Sequence, residues 1–355
     1  MERKIDRFLR LMNDRGASDF HLAVGRPPML RISGRMEQIR YRTMQENDWI
    51  EMVKPIAPPE RWDEYEAGGD ADFAYELESV ARFRVNLFRQ QRGSAAVLRV
   101  IPSKIMTIEQ LGLPPQIRRL GEVRNGLVLV TGPTGSGKST TLAAIIDLIN
   151  ETKSHHIITI EDPIEFVHPN KKCLIHQREI GAHASSFADA LKAAGREDPD
   201  LILVGEMRDL ETTSMALTAA EKGTIVFGTL HTNNAVKTID RVVSVFPAKE
   251  QEGARNVLAD TLRAVIAQQL LPKKGGGRIA AMEILFSSAA IGNMIREGKT
   301  GQIISAIQSG SNQGMIEMDT SIRALFDSGA IDARAAYDKA IDKELFKDIV
   351  DERDV

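Results

Sequence analysis

The sequence predicts an α/β protein in which a small α+β domain precedes a larger domain with a mostly parallel sheet. Residues 1–101 carry short alternations of apolar and polar residues between brief helical patterns. From residue 118 onward, apolar runs of strand length alternate with helical segments, an order that places helices on the faces of a parallel sheet. Residues 102–117, which contain three prolines and a glycine, are predicted to be a linker, and 118–355 the second domain.

The first domain opens with a helical pattern. Ile5, Leu9 and Met12 recur at helical spacing, and Gly16 is expected to end the helix. A second helix is predicted at 49–53. The predicted strands are short apolar or alternating runs, and they cover residues 21–24, 29–32, 72–75, 82–89 and 95–100.

The second domain shows the alternation of strands and helices most clearly. Its predicted strands are bounded apolar runs, at 127–131, 156–161, 201–204 and 224–229. Its predicted helices are at 140–150, 187–194 and 210–221. The remainder, from about residue 235, is expected to be mostly helical.

Composition argues against several classes of protein. Hydrophobic residues make up 43% of the 355 residues and the net charge is −3, without a basic stretch of the kind that nucleic-acid binding needs. No apolar window is long enough to span a membrane, and the N-terminus lacks the apolar segment of a signal peptide. Cys173 is the only cysteine, so an intrachain disulfide and a cysteine zinc cluster are impossible. These observations favour a cytoplasmic protein.

A glycine-rich loop lies between the first strand and the first helix of the second domain. It fits the pattern G-x-x-x-x-G-K-[ST] in full and runs through Gly132, Pro133, Thr134, Gly135, Ser136, Gly137, Lys138, Ser139 and Thr140. Glycines let successive N–H groups turn toward phosphate oxygens, while Lys138 supplies positive charge and Ser139 offers a hydroxyl to Mg²⁺. The loop therefore predicts a site for ATP and Mg²⁺.

Acidic residues and a histidine follow other strands of the predicted sheet. Glu206 follows the strand 201–204, where it would face magnesium or the attacking water, since ligands bind at the carboxyl ends of such strands. Three acids, Glu161, Asp162 and Glu165, follow another strand; a plain charged turn is the alternative. His231 follows a third strand, as a γ-phosphate contact or an ordinary hydrogen-bonding residue.

Taken together, several runs resemble those of the secretion ATPase superfamily, and closely those of type IV pilus retraction ATPases of the PilT type. The runs in the second domain are Gly-Pro-Thr-Gly-Ser-Gly-Lys-Ser-Thr (132–140), Ile-Glu-Asp-Pro-Ile-Glu-Phe (160–166), Gln-Arg-Glu-Ile-Gly (177–181), Arg-Glu-Asp-Pro-Asp-Leu-Ile-Leu-Val-Gly-Glu-Met-Arg-Asp-Leu-Glu-Thr (196–212), Phe-Gly-Thr-Leu-His-Thr-Asn (227–233) and Ala-Gln-Gln-Leu-Leu (267–271). Those in the first domain are Ala-Ser-Asp-Phe-His-Leu (17–22) and Arg-Phe-Arg-Val-Asn (82–86).

The resemblance implies a PAS-like first domain and a RecA-like P-loop core with a helical C-terminal region. It implies that Glu206 is the Walker B glutamate and a magnesium contact, that Glu165 is the key acid of the Asp box, and that His231 is the second histidine of the His box. Arg84 and Arg99 match arginines that the first domain donates to the ATP site. From their composition alone, they are more simply surface arginines of a strand.

The resemblance also implies partners and a location. Members of this family form homohexameric rings that act on pilin indirectly, through an inner-membrane platform protein, so the chain is expected at the cytoplasmic face of that membrane. No nucleic acid is expected as a partner.

Three positions depart from the family pattern. Thr224 stands where the first histidine of the His box is usual, Gly292 replaces an arginine, and Gly195 replaces a leucine. The departures leave two alternatives to a retraction motor: an accessory ring subunit that binds ATP but hydrolyses it weakly, and a nucleic-acid motor on the same core.

Overall fold

The computed structural model describes residues 3–32, 34–101 and 105–350. The chain divides into two compact units. The first comprises Met1–Lys104 with Pro163–Val167, and the second comprises Ile105–Asp162 with His168–Val355.

The first unit is built on a six-stranded antiparallel sheet with the strand order β3-β2-β1-β6-β5-β4. Its strands are β1 (Asp19–Ala23), β2 (Met29–Ile32), β3 (Arg35–Gln38), β4 (Ala71–Leu77), β5 (Ala81–Gln90) and β6 (Gly93–Ile101). Its helices are α1 (Lys4–Asp14), α2 (Glu46–Val53) and α3 (Pro59–Glu66). The predicted α+β character of this domain is confirmed.

Burial explains these elements. In α1, Ile5, Leu9 and Met12 are fully buried, as their helical spacing predicts. In β5, buried residues alternate with half-buried ones, so one face of the strand covers the core and the other carries arginines. The indole of Trp49 is buried and donates to the Leu22 carbonyl at 3.1 Å, which fixes α2 on the sheet.

The second unit is built on a seven-stranded sheet with the order β13-β12-β7-β11-β10-β8-β9. Its strands are β7 (Gly126–Thr131), β8 (His156–Glu161), β9 (Leu174–Glu179), β10 (Leu201–Val204), β11 (Ile225–Leu230), β12 (Leu262–Pro272) and β13 (Arg278–Phe286). Neighbouring strands are parallel, except that β13 runs antiparallel to β12. Every residue of β7, β10 and β11 is buried, as expected for a sheet covered on both faces.

The helices of the second unit cover this sheet and continue to the end of the described chain. They are α4 (Lys138–Thr152), α5 (Phe187–Ala194), α6 (Leu210–Glu221), α7 (Ala235–Ser244), α8 (Gln251–Thr261), α9 (Ala289–Arg296), α10 (Ile303–Ser309), α11 (Met318–Asp327) and α12 (Ala333–Lys339). No helix of the described residues is long and apolar enough to cross a bilayer.

The prediction of a mostly helical chain after residue 235 was wrong in part. Strands β12 and β13 form a long hairpin there, and β12 pairs in parallel with β7. The apolar run 264–267 suits a buried helix or a buried strand equally well, and pairing with β7, far away in sequence, decides for the strand. Strand β11 also begins at Ile225, one residue later than predicted.

The predicted linker lies partly outside the described residues, because 102–104 are not described. Ile108, Leu113 and Ile117 are buried in the hydrophobic core of the second unit. The predicted domain boundaries stay a prediction.

Candidate functional site

The glycine loop joins the end of β7 to the start of α4. Gly132, Gly135 and Gly137 have positive φ angles of 146°, 77° and 89°, which other residues rarely adopt. A Cβ atom on Gly132 would also overlap the backbone carbonyl oxygen of Gln268. The positive φ angles explain the glycines at all three positions, and the close contact with Gln268 is a second reason for glycine at 132.

Lys138 and Ser139 stand in the first turn of α4. The Lys138 ammonium group donates to the carbonyl of Gly132 at 2.8 Å and to that of Pro133 at 3.2 Å, so its charge lies within the loop. Ser139 is half-buried. Backbone N–H groups at the start of this 15-residue helix add positive potential, and the loop is therefore an anion site with the geometry of a phosphate-binding loop.

Glu206 and His231 are brought together beside this loop. They follow β10 and β11, and β11 lies between β10 and β7 in the sheet. The Nε2 atom of His231 lies 3.0 Å from Oε1 of Glu206, so a protonated Nε2 donates to the carboxylate. Arg208 forms an ion pair with the same oxygen, which raises the pKa of the guanidinium. The side chain of Glu206 is only 18% exposed.

The backbone around Glu206 is held closely against β11. The Met207 N–H donates to the Thr229 carbonyl at 3.0 Å. A Cβ atom on Gly228 would overlap the sulfur of Met207, so glycine at this position leaves room for Met207 to pack on β11. These contacts hold the backbone next to Glu206 against the strand that precedes His231.

The three acids at the end of β8 have different surroundings. Glu161 accepts hydrogen bonds from the Thr159 hydroxyl at 2.6 Å and from the Gln177 amide at 3.2 Å. Asp162 is exposed, whereas Glu165 is half-buried and lies in the segment Pro163–Val167 of the first unit. The role of Glu165 stays a prediction.

Arg84 and Arg99 are directly opposite each other on β5 and β6 of the first unit. Arg84 lies 3.4 Å from Asp72, while Nε of Arg99 lies 2.7 Å from Oδ1 of the buried Asp19. Burial raises the pKa of Asp19, but hydrogen bonds from Ser18 and Arg99 outweigh it and hold this pKa below its usual value. Arg99 therefore pairs with a buried carboxylate, and Arg84 pairs with the exposed carboxylate of Asp72.

Sequence reasoning missed two residues that contact the predicted site. Arg208 pairs with Glu206, and Gln268 contacts the glycine loop. Arg208 lies in the quoted run 196–212 and Gln268 in 267–271, but neither run by itself indicates which side chain approaches which.

The sheet order, the loop after β7, and the carboxylate and histidine after the next two strands define the class of protein: a P-loop ATPase. The chain belongs to the family of type II/IV secretion system proteins, whose model matches residues 1–283. This confirms the fold class predicted from the sequence, an N-terminal α+β domain followed by an ATPase core.

Individual relatives agree over nearly the whole chain. The chain is 51% identical over 342 residues to the type IV pilus retraction ATPase PilT of Pseudomonas aeruginosa, which covers 96% of this chain and 99% of that protein. It is 52% identical over 318 residues to a twitching motility protein of Neisseria gonorrhoeae, covering 89% and 85% respectively. A crystal structure of the pilus retraction motor PilT with bound ADP matches with a TM-score of 0.90 at 46% identity, covering 97% of this chain and 99% of that one. The predicted resemblance to PilT-type ATPases is confirmed.

Proposed function

We propose that the chain hydrolyses ATP with Mg²⁺ and works as a hexameric ring that drives the retraction of type IV pili. The observation that carries the proposal is the pair of Glu206 and His231, 3.0 Å apart, at the ends of the strands next to the P-loop strand. The names of the relatives, a retraction ATPase and a twitching motility protein, support the choice of pilus retraction.

The P-loop would bind the phosphates of the nucleotide. Its N–H groups would donate to phosphate oxygens, and the ammonium group of Lys138, which now contacts the Gly132 and Pro133 carbonyls, would neutralise the charge of the β and γ phosphates. The residues near the loop also suit magnesium, because the Ser139 hydroxyl and the Glu206 carboxylate are oxygen donors. Bound Mg²⁺ would neutralise charge that develops on the phosphates.

Glu206 is suited to act on the attacking water. Its Oε1 atom is engaged by His231 and Arg208. Oε2 would orient the water and accept its proton as the oxygen attacks the γ-phosphorus, while the bond to the bridging oxygen breaks and ADP leaves. Through its contact with Oε1, His231 would couple the charge of the Glu206 carboxylate to the conformation of the loop after β11.

The remaining assignments rest on the family resemblance. Glu165 would be a further acid at the site, and Arg84 and Arg99 would be donated by the first domain of the same or a neighbouring subunit. An arginine that reaches the transferring phosphate contributes about 10³-fold or more to the rate of such reactions. The ring would act on pilin indirectly, through an inner-membrane platform protein at the cytoplasmic face of the membrane.

Glu206→Gln tests the chemistry. The substitution keeps the shape but removes the negative charge, so ADP and ATP binding should persist while turnover falls by about 10²-fold or more. Glu211→Gln is the matched control, because Glu211 is exposed in the first turn of α6 and should tolerate the change. Equal losses of binding and turnover in Glu206→Gln would make Glu206 a structural or metal-holding residue instead.

The accessory-subunit alternative draws on Thr224 and Gly292, which depart from the family pattern. The similarity favours the motor, because the relative that is 51% identical over 96% of this chain is named a type IV pilus retraction ATPase. The two alternatives differ in ATP turnover by the chain itself.

A further inference from the structure

A buried glutamine on β12 bridges the P-loop and the helix that follows it. Gln268 is 3% exposed, and both ends of its amide group are used. Its oxygen accepts from the Thr141 hydroxyl at 2.7 Å, and its nitrogen donates to the Ser136 carbonyl at 2.7 Å. Because a carbonyl oxygen can only accept, the NH₂ group must be the end that faces Ser136.

The loop also packs directly on this residue. Thr131, the last residue of β7, is level with Ala267 on β12, so Gln268 lies beside the start of the loop. A Cβ atom on Gly132 would overlap the Gln268 carbonyl oxygen, and one on Gly137 would lie 2.8 Å from the Gln268 amide nitrogen. The first and the last glycine of the P-loop therefore both lie so close to Gln268 that a Cβ atom would not fit.

The bond to Ser136 has a consequence for phosphate binding. In a trans peptide, the carbonyl of one residue and the N–H of the next point in opposite directions. Holding the Ser136 carbonyl toward Gln268 therefore turns the Gly137 N–H away from Gln268. Gly137 could rotate this peptide freely, because glycine accepts both signs of φ. Gln268 removes that freedom.

We infer that Gln268 is a positioning residue that holds the Ser136–Gly137 peptide in the orientation in which the loop binds nucleotide phosphates. It touches neither the phosphates nor the water, and it acts through the loop backbone. Thr141 supports it by fixing the oxygen end of its amide. The inference rests on the proposed role of this loop in nucleotide binding.

The decisive variant is Gln268→Met, which keeps the length and removes both hydrogen bonds. The dissociation constant of a fluorescent ADP analogue and KM for ATP should each rise about tenfold, the effect of losing the buried hydrogen bond to the Ser136 carbonyl, while kcat changes little. Gln269→Met is the matched control. Gln269 is the next residue, it points to the other face of the sheet, and it donates to the Lys339 carbonyl at 3.2 Å.

Gln268→Glu provides a rescue test. At about pH 8 its carboxylate faces the Ser136 carbonyl without a donor, so ADP binding should be weak. Burial raises the pKa of a carboxyl, and the protonated form can again donate to Ser136. The ratio of its dissociation constant to that of the unmodified chain should therefore fall toward one as the pH is lowered to about 6.

Three results would overturn the inference. ADP affinity of Gln268→Met close to that of the unmodified chain would do so, and so would an equal loss of affinity in Gln269→Met. If Gln268→Met does not fold, as judged by circular dichroism, Thr141→Val and Gln268→Glu decide: unchanged ADP affinity in both refutes the inference. Failure of the unmodified chain to bind the ADP analogue would instead refute the proposed function, and this inference with it.

Discussion

Glu283 is a buried carboxyl that should make the stability of the second unit depend on pH. It is 6% exposed on β13, and its Oε1 atom accepts the backbone N–H of Ala235 at 2.7 Å, in the first turn of α7. Burial, together with the nearby carboxylates Glu317 and Asp319, raises its pKa from 4.5 to about 7 against the lowering effect of that hydrogen bond.

The sign of the effect follows from proton binding. Between pH 4.5 and about 7, the folded chain holds a proton at Glu283 that the unfolded chain has lost. The free energy of unfolding therefore falls as the pH rises through this range. A pKa difference of about 2.5 corresponds to at most about 3.4 kcal/mol.

Glu283→Gln removes the titration and keeps an oxygen for the Ala235 N–H. Relative to the unmodified chain, the variant should gain roughly 2 kcal/mol between about pH 5 and pH 8. His168, whose pKa burial lowers to about 4, produces the opposite slope in both proteins and cancels in the comparison. Glu211→Gln on the exposed side of α6 is the control.

Urea unfolding should be followed by far-UV circular dichroism at each pH. Tryptophan fluorescence would be unsuitable, because Trp49 and Trp62 both lie in the first unit. A stability difference between Glu283→Gln and the unmodified chain that does not change with pH would refute the reasoning.

Two further predictions concern the ring and its coupling to pili. If Arg84 completes a site that an isolated subunit lacks, ATP turnover per subunit should rise with protein concentration and should fall in Arg84→Ala. Arg84 is a better choice for substitution than Arg99, because Arg99 also pairs with a buried carboxylate. Full specific activity in a monomer would contradict this prediction. Thr224→His and Gly292→Arg should change pilus retraction in cells more than ATP turnover in solution. Thr224 precedes β11, whereas His231 follows it, so the two residues lie at opposite ends of this strand. A larger change in ATP turnover than in retraction would instead assign these positions to hydrolysis. A side chain at position 292 must also displace α9 slightly, because its Cβ would lie 3.3 Å from the Ala259 carbonyl oxygen.

The parts of the fold that the sequence predicts well are those specified locally. Strand β7, the glycine loop and α4 follow each other with an apolar run, a motif and a helical pattern, and β10 and β11 are bounded apolar runs. Glu206 and His231 each follow a strand of the parallel sheet, so they are predicted to lie at the same edge of it, although the sequence does not show that they contact each other.

The parts that the sequence does not predict depend on distant pairing. β12 is a strand because it pairs with β7, although the glycines at 275–277 between β12 and β13 were a signal for a hairpin. β3 is exposed at every residue, so it carries no apolar alternation to reveal it. Gln268 reaches Ser136 from 132 positions away, and only the folded sheet shows that contact.

The most direct test of the account is Mg²⁺-dependent ATP turnover by the purified chain, compared with Lys138→Ala. The ammonium group of Lys138 lies within the P-loop, where it would contact the phosphates of ATP. Its removal should therefore abolish turnover while the protein remains folded. The account predicts clear turnover by the unmodified chain and none by Lys138→Ala. Turnover no higher than the Lys138→Ala background, with hydrolysis appearing only in Thr224→His, would contradict it and identify an accessory ATP-binding subunit.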